Sequence, residues 1–291
     1  MKRIHIIGSG PRTGTTLLTE VMHTCFEIDH HCEHEASICT DEPLVGNIFL
    51  TKQPGEMAAV KWPLKLNKNL YVICIIRDPR DSIVSKHGLK PDIYWTGLSY
   101  WKQFIKIFPK LFIHPRFVYF KYEDFVTDPD LIQKKIKDRI PFLKETYKFS
   151  EYHLHAKPSE DSIKALKSVR PITPAGIGRW KRHLPRVKSQ IEIHGDISSD
   201  LILHGYESTT AWLKCLEDVQ SISFDQKIPQ FFRRVDRWRR KKRELIEVFN
   251  IFVRRFGLDP VCVKRPFQLF FSSLRKILKP LLKPAFKRYF Y

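Results

Sequence analysis

The chain has 291 residues, 43% of them hydrophobic, enough to bury a sizeable core as one large domain or a domain with an appendage. Fifty-one Lys and Arg against 31 Asp and Glu give a net charge of +20, which turns basic partners away and favours anionic ones. No apolar run approaches the ~18 residues of a membrane span, and the six cysteines form no C-x-x-C pair, so disulfide-scaffold and membrane-spanning classes are set aside.

The first element is an apolar run, Arg3 to Ile7, predicted as a strand. It enters a glycine-rich turn, GSGPRTGTT, after which Thr15 to Cys25 has helical periodicity. A strand, a tight glycine turn and a helix N-terminus together make an anion site, because main-chain N–H groups point outward where the helix dipole is positive. A nucleoside triphosphatase loop reads G-x-x-x-x-G-K-[ST], with its Lys on the β- and γ-phosphates. Here Thr15 follows Gly14, no Lys occupies that place, and Arg12 stands two residues earlier. Such a loop suits a short phosphate ester better than ATP.

The strand-like runs continue at Met57–Lys61, Tyr71–Ile76 and Phe117–Tyr122. Helical patterns lie near Pro79–His87, Tyr94–Phe108 and Pro129–Asp138. Alternation of this kind predicts an α/β fold: a three-layer sandwich whose central sheet is mainly parallel, with ligands at the carboxyl ends of the strands. The run Val72–Ile76 delivers Arg77 to such an end. Pro79 sits where a helix starts, and Ser85 follows about two turns on.

Taken together, PRTGTT and VICIIRDPRDSIVSKH resemble the 5′-phosphosulfate loop and the 3′-phosphate motif of sulfotransferases that use 3′-phosphoadenosine 5′-phosphosulfate (PAPS). The resemblance runs from about residue 3 to Tyr206 and is nearer to the carbohydrate and tyrosylprotein branches. It implies that Arg12, Thr13, Gly14, Thr15 and Thr16 hold the 5′-phosphosulfate and that Arg77 and Ser85 clasp the 3′-phosphate. Tyr122, in KYEDFVTDP, would reach the nucleotide. Arg170, Arg179 and Lys181, in RPITPAGIGRWKRHLP, resemble the cations of a late loop that closes over the donor, and Trp180 is expected to pack rather than carry adenine.

For the base, HEAS resembles the family's short Glu-containing element, which places Glu35 first, with Glu33 and His34 as rivals. Lys61, in AVKWP, resembles a K-D-P element whose strand-end Lys assists the leaving group. Arg12 could do the same work from the loop. The reaction so implied is direct in-line attack of an acceptor hydroxyl on sulfur, leaving adenosine 3′,5′-bisphosphate, with no metal. Cys25, Cys32 and Cys39 recur every seven residues among His30, His31 and His34, a spacing unlike that of structural zinc ligands.

The catalytic domain is expected over 1–215 and a basic, helical extension over 216–291. From Ile228 to Tyr291 there are 18 Lys and Arg against four Asp and Glu. Phe267, Phe270, Phe271, Leu274, Leu278 and Leu281 form an apolar stripe there, with Arg275, Lys276, Lys279 and Lys283 opposite. That pattern fits either a helix on an anionic membrane surface or a helical subdomain packed on the core. No nucleic-acid recognition module is visible. The expected setting is cytoplasmic, peripheral to the membrane if the tail binds lipid, and the acceptor a glycan or glycolipid hydroxyl. Two other functions stay open: a P-loop kinase or nucleotidase with a degenerate loop, and a non-catalytic membrane-peripheral protein.

Overall fold

The computed structural model describes residues 1–33, 35–86, 94–222, 249 and 253. The chain separates into two compact units, Met1–Arg240 and Lys241–Tyr291, and the account below concerns the first. The amphipathic stripe from Phe267 lies outside the described residues.

Five strands form one sheet: β1 (Lys2–Gly8), β2 (His30–His31), β3 (Ile48–Lys52), β4 (Leu70–Ile76) and β5 (Phe117–Lys121). Their order is β2-β3-β1-β4-β5, and every pairing is parallel. The connections α1 (Thr15–Cys25), α2 (Lys61–Leu66), α3 (Pro79–Ile83), α4 (Leu98–Ile107), α5 (Tyr122–Thr127) and α6 (Pro129–Arg139) complete the α/β arrangement.

Alternation along the central strands sorts side chains into two cores, as strand geometry requires. Val72, Cys74 and Ile76 join Leu64, Leu98, Trp101 and Phe104 on one face. Ile73 and Ile75 join Leu18, Val21, Met22, Ile132 and Ile136 on the other. The sheet is therefore the middle of three layers. The chain leaves β1 towards one edge, returns through β3 and crosses to β4 on β1's other side. Loops at the carboxyl ends of β1, β3 and β4 thus meet at a switch point, where parallel sheets bind ligands.

Three expectations fail. Met57–Lys61 is not a strand: Met57–Ala59 is a single 3₁₀ turn and Lys61 opens α2. Pro63 fits the helix that Lys61 opens, since proline is tolerated in a helix's first turn. The strand on that side of β1 is instead Ile48–Lys52, every residue of which is buried. Pro79–His87 also shortens to Pro79–Ile83 and Tyr94–Phe108 to Leu98–Ile107.

Candidate functional site

The turn after β1 is shaped by close approaches that only glycine permits. A Cβ on Gly8 would collide with Thr13 Oγ1, which donates to Gly10 O at 3.0 Å. Gly14 caps α1 with φ of 93°, in the left-handed region, and a Cβ there would lie 2.7 Å from the Tyr122 ring. Eleven-residue α1 therefore begins with Thr15 and Thr16 directly beneath a bare main-chain turn, and no side chain caps its N-terminus.

Arginines gather on one flank of this turn. Arg77, at the end of β4, donates from Nη1 to Arg12 O (2.9 Å) and from Nη2 to Gly176 O (2.8 Å). Its guanidinium stacks over Tyr122, 4.2 Å from the ring centroid. Although Arg77 is 8% exposed, its Nε has no hydrogen-bond partner. Arg12, itself at φ 69°, donates from Nε to Ser85 Oγ at 2.9 Å. Burial, and then the charges of Arg77 and Arg179, lower its pKa. Arg12, Arg77, Ser85, Tyr122 and Arg179, from five separate places in the sequence, thus converge beside the turn. Glu123, half-buried next to them, accepts from Asp78 N at 3.1 Å, and desolvation pushes its carboxyl up to about 7.

The other flank holds a residue the sequence reading missed. Lys52 ends β3, is 5% exposed, and donates from Nζ to Thr16 Oγ1 at 3.0 Å. Burial lowers its pKa, opposed by the nearby charges of Cys32, Glu35 and Glu20. The signal was present: FLTKQP is an apolar run ending in Lys with Pro two residues on, the pattern sought at Lys61. Lys61 itself is exposed on α2, its ammonium 5.6 Å from the ring centroid of Trp62, and it does not end a strand.

The segment containing Glu35 is laid along the same strand end. Cys32 N donates to Leu50 O and Ala36 N to Lys52 O, both at 2.9 Å. Glu56 anchors its far side, accepting from Ser37 Oγ (2.6 Å) and Ile38 N (2.7 Å). Glu35 is exposed and accepts from Gln53 Nε2 at 3.0 Å. Glu33 is exposed too, and His34 lies outside the described residues. Among the described residues no cluster of His, Cys, Asp and Glu could hold a metal ion.

The late cations Arg170, Arg179 and Lys181 are all exposed; Arg179 is near enough for its charge to act on Arg12, and Lys181 lies 5.9 Å from the Trp180 ring centroid. Trp180 packs as expected. It is buried against Arg80 (4.1 Å), whose guanidinium pairs with Asp78 at 2.7 Å and Glu207 at 2.6 Å.

No family model and no curated protein matches the chain. Among solved structures it is similar to the sulfotransferase domain from the Synechococcus PCC 7002 olefin synthase, with 16% identity and a TM-score of 0.41 over 62% of this chain and 87% of that one. The sulfotransferase domain from the curacin biosynthetic pathway gives 14% and 0.41 over 62% and 91%. Retinol dehydratase in complex with retinol and PAP gives 11% and 0.38 over 77% and 84%.

Proposed function

We propose that this chain is a PAPS-dependent sulfotransferase acting on an acceptor hydroxyl. The observation that carries the reading is the convergence of Arg12, Arg77 and Arg179, with the buried Nε of Arg77 left without a partner. Three guanidiniums held together raise one another's energy, and a multiply charged anion removes that cost while supplying charge-assisted hydrogen bonds. Arg77 gives its bonded donors to main-chain carbonyls rather than to a carboxylate, so its charge is available to a ligand. The absence of a Lys after Gly14 argues against a nucleoside triphosphate.

In this reading the turn and α1 hold the 5′-phosphosulfate, and the arginine flank with Ser85 takes the 3′-phosphate. Glu35 accepts the acceptor's proton as its oxygen bonds to sulfur. The bond from sulfur to the bridging oxygen breaks, and Lys52 together with Arg12 balances the charge that builds on that oxygen. Positioning and fixed charge supply most of the catalysis.

Adenosine 3′,5′-bisphosphate is expected to raise the melting temperature well above the shift given by AMP at equal concentration. Losing one charge-assisted contact costs ~1.5–3 kcal/mol, so Arg77→Ala should weaken the bisphosphate by ~10-fold or more. Equal shifts with the two nucleotides would remove the assignment, and Mg²⁺-dependent ATP turnover would favour a kinase instead.

A glycan or glycolipid acceptor is the proposed substrate class, supported by the basic tail and by the resemblance of HEAS to an element of the carbohydrate and tyrosylprotein branches. No helix among the described residues is long and apolar enough to cross a membrane. The basic tail suggests a peripheral contact, each Lys or Arg near an anionic surface adding ~1 kcal/mol. Full-length protein should co-sediment with phosphatidylserine vesicles in a salt-dependent way, and protein ending near Asp259 should not. Sedimentation indifferent to anionic lipid would exclude the electrostatic contact.

A further inference from the structure

We propose that Asp81 is a positioning residue that aims Arg179 into the anion site by fixing the main chain on both sides of it. This rests on the donor assignment above. Asp81 Oδ2 accepts from Gly178 N at 2.8 Å and Oδ1 accepts from Trp180 N at 2.9 Å. The two amides belong to the residues immediately before and after Arg179. Asp81 is 2% exposed, on the first turns of α3, and has no direct path to a ligand.

The neighbouring contacts fix the same segment from other directions. Arg77 Nη2 holds Gly176 O at 2.8 Å, and a Cβ on Gly176 would lie 2.9 Å from the Tyr122 hydroxyl and 3.2 Å from Arg77 Nη2. Trp180 is pinned between Arg80 (ring centroid 4.1 Å away) and the edge-on ring of Trp212 at 6.0 Å. Gly178 has φ of 70° and open space where a Cβ would stand, so its left-handed turn, rather than crowding, calls for glycine. Arg179 itself is exposed. Its side chain thus faces solvent while its backbone is clamped at both neighbours, an arrangement suited to a cation that closes over a bound anion. A carboxylate suits this clamp because both oxygens accept. Asparagine would present an NH₂ group to one of the two N–H donors.

The test is a double-mutant cycle read by calorimetric binding of adenosine 3′,5′-bisphosphate. Asp81→Asn should weaken binding by ~10-fold in the wild-type background and by less than ~2-fold in an Arg179→Ala background, because the two residues act as one unit. Equal losses in both backgrounds would show that Asp81 does not work through Arg179. Amide hydrogen exchange of the unliganded wild-type protein gives a second reading that needs no variant. Gly178 and Trp180 N–H should exchange at least ~10-fold more slowly than Arg179 N–H, and equally fast exchange at all three overturns the clamp. Wild-type protein that ignores the bisphosphate defeats the donor assignment, and the exchange pattern then decides the clamp alone.

Discussion

Lys52→Met is expected to lower turnover by ~10²-fold or more at saturating PAPS, the usual scale for removing one fixed charge from a developing oxyanion. Methionine keeps most of the buried stem and removes the ammonium, so the loss reports charge rather than packing. The ammonium sits 3.0 Å from Thr16 Oγ1 at the head of α1, beside the turn that would hold the phosphosulfate. Lys61→Met is the control: Lys61 is exposed on α2 with its ammonium over Trp62, and activity should change by less than ~2-fold, as for most surface substitutions. Glu35→Gln should likewise cost ~10²-fold, the scale of a lost general base, while Glu33→Gln is nearly silent. Initial rates of labelled sulfate transfer to a hydroxyl acceptor, with bisphosphate affinity measured alongside, separate chemistry from binding. A harmless Lys52→Met beside a crippled Lys61→Met would reverse the assignment.

The strand end expected at Lys61 lies at Lys52 instead, for a physical reason. The ends of β1 and β4 were legible because glycine turns and a proline mark them: GSGPRTGTT after Ile7, and RDP after Ile76. Ile48–Lys52 is a five-residue strand buried on both faces, and such strands carry no alternation to read. Two-residue β2 is shorter than any periodic signal. Met57–Lys61 has strand-like composition, but the chain there forms a 3₁₀ turn and the start of a helix that accommodates Pro63. Once β3 moved, the strand-end lysine moved with it.

The arginine flank was legible in part. Arg12, Arg77, Ser85, Tyr122 and Arg179 each stood out from motif position, and the fold brings them together. What connects them was not legible. The bonds from Gly178 and Trp180 to Asp81 join residues 97 and 99 positions apart, and nothing in one sequence marks such pairs. Arg77 to Gly176 is equally remote. Motifs mark the groups that touch a ligand; the acceptors that aim those groups are set by tertiary packing.

Gly14→Ala should be among the most damaging single methyl additions in this unit, for two separable reasons. An L-residue held in the left-handed region costs ~1–2 kcal/mol, and Gly14 sits at φ 93°. The new Cβ would also stand 2.7 and 2.8 Å from two atoms of the Tyr122 ring, and overpacking of this kind costs ~1–3 kcal/mol. That ring carries Arg77, 4.2 Å from its centroid, so displacing it moves the guanidinium proposed to meet the 3′-phosphate. Urea denaturation should therefore show a loss of ~2–5 kcal/mol, the two costs combined, and bisphosphate affinity should fall by ~10-fold or more as charge-assisted contacts are misaligned. Gly178→Ala separates the terms: φ is 70° but the space is empty, so only the conformational cost of ~1–2 kcal/mol applies. Adding Tyr122→Ala to Gly14→Ala should relieve the clash and make the pair less destabilising than the sum of the two single changes. Strict additivity would mean that the ring is not what Gly14 accommodates, and the link from turn to ring to arginine would be broken.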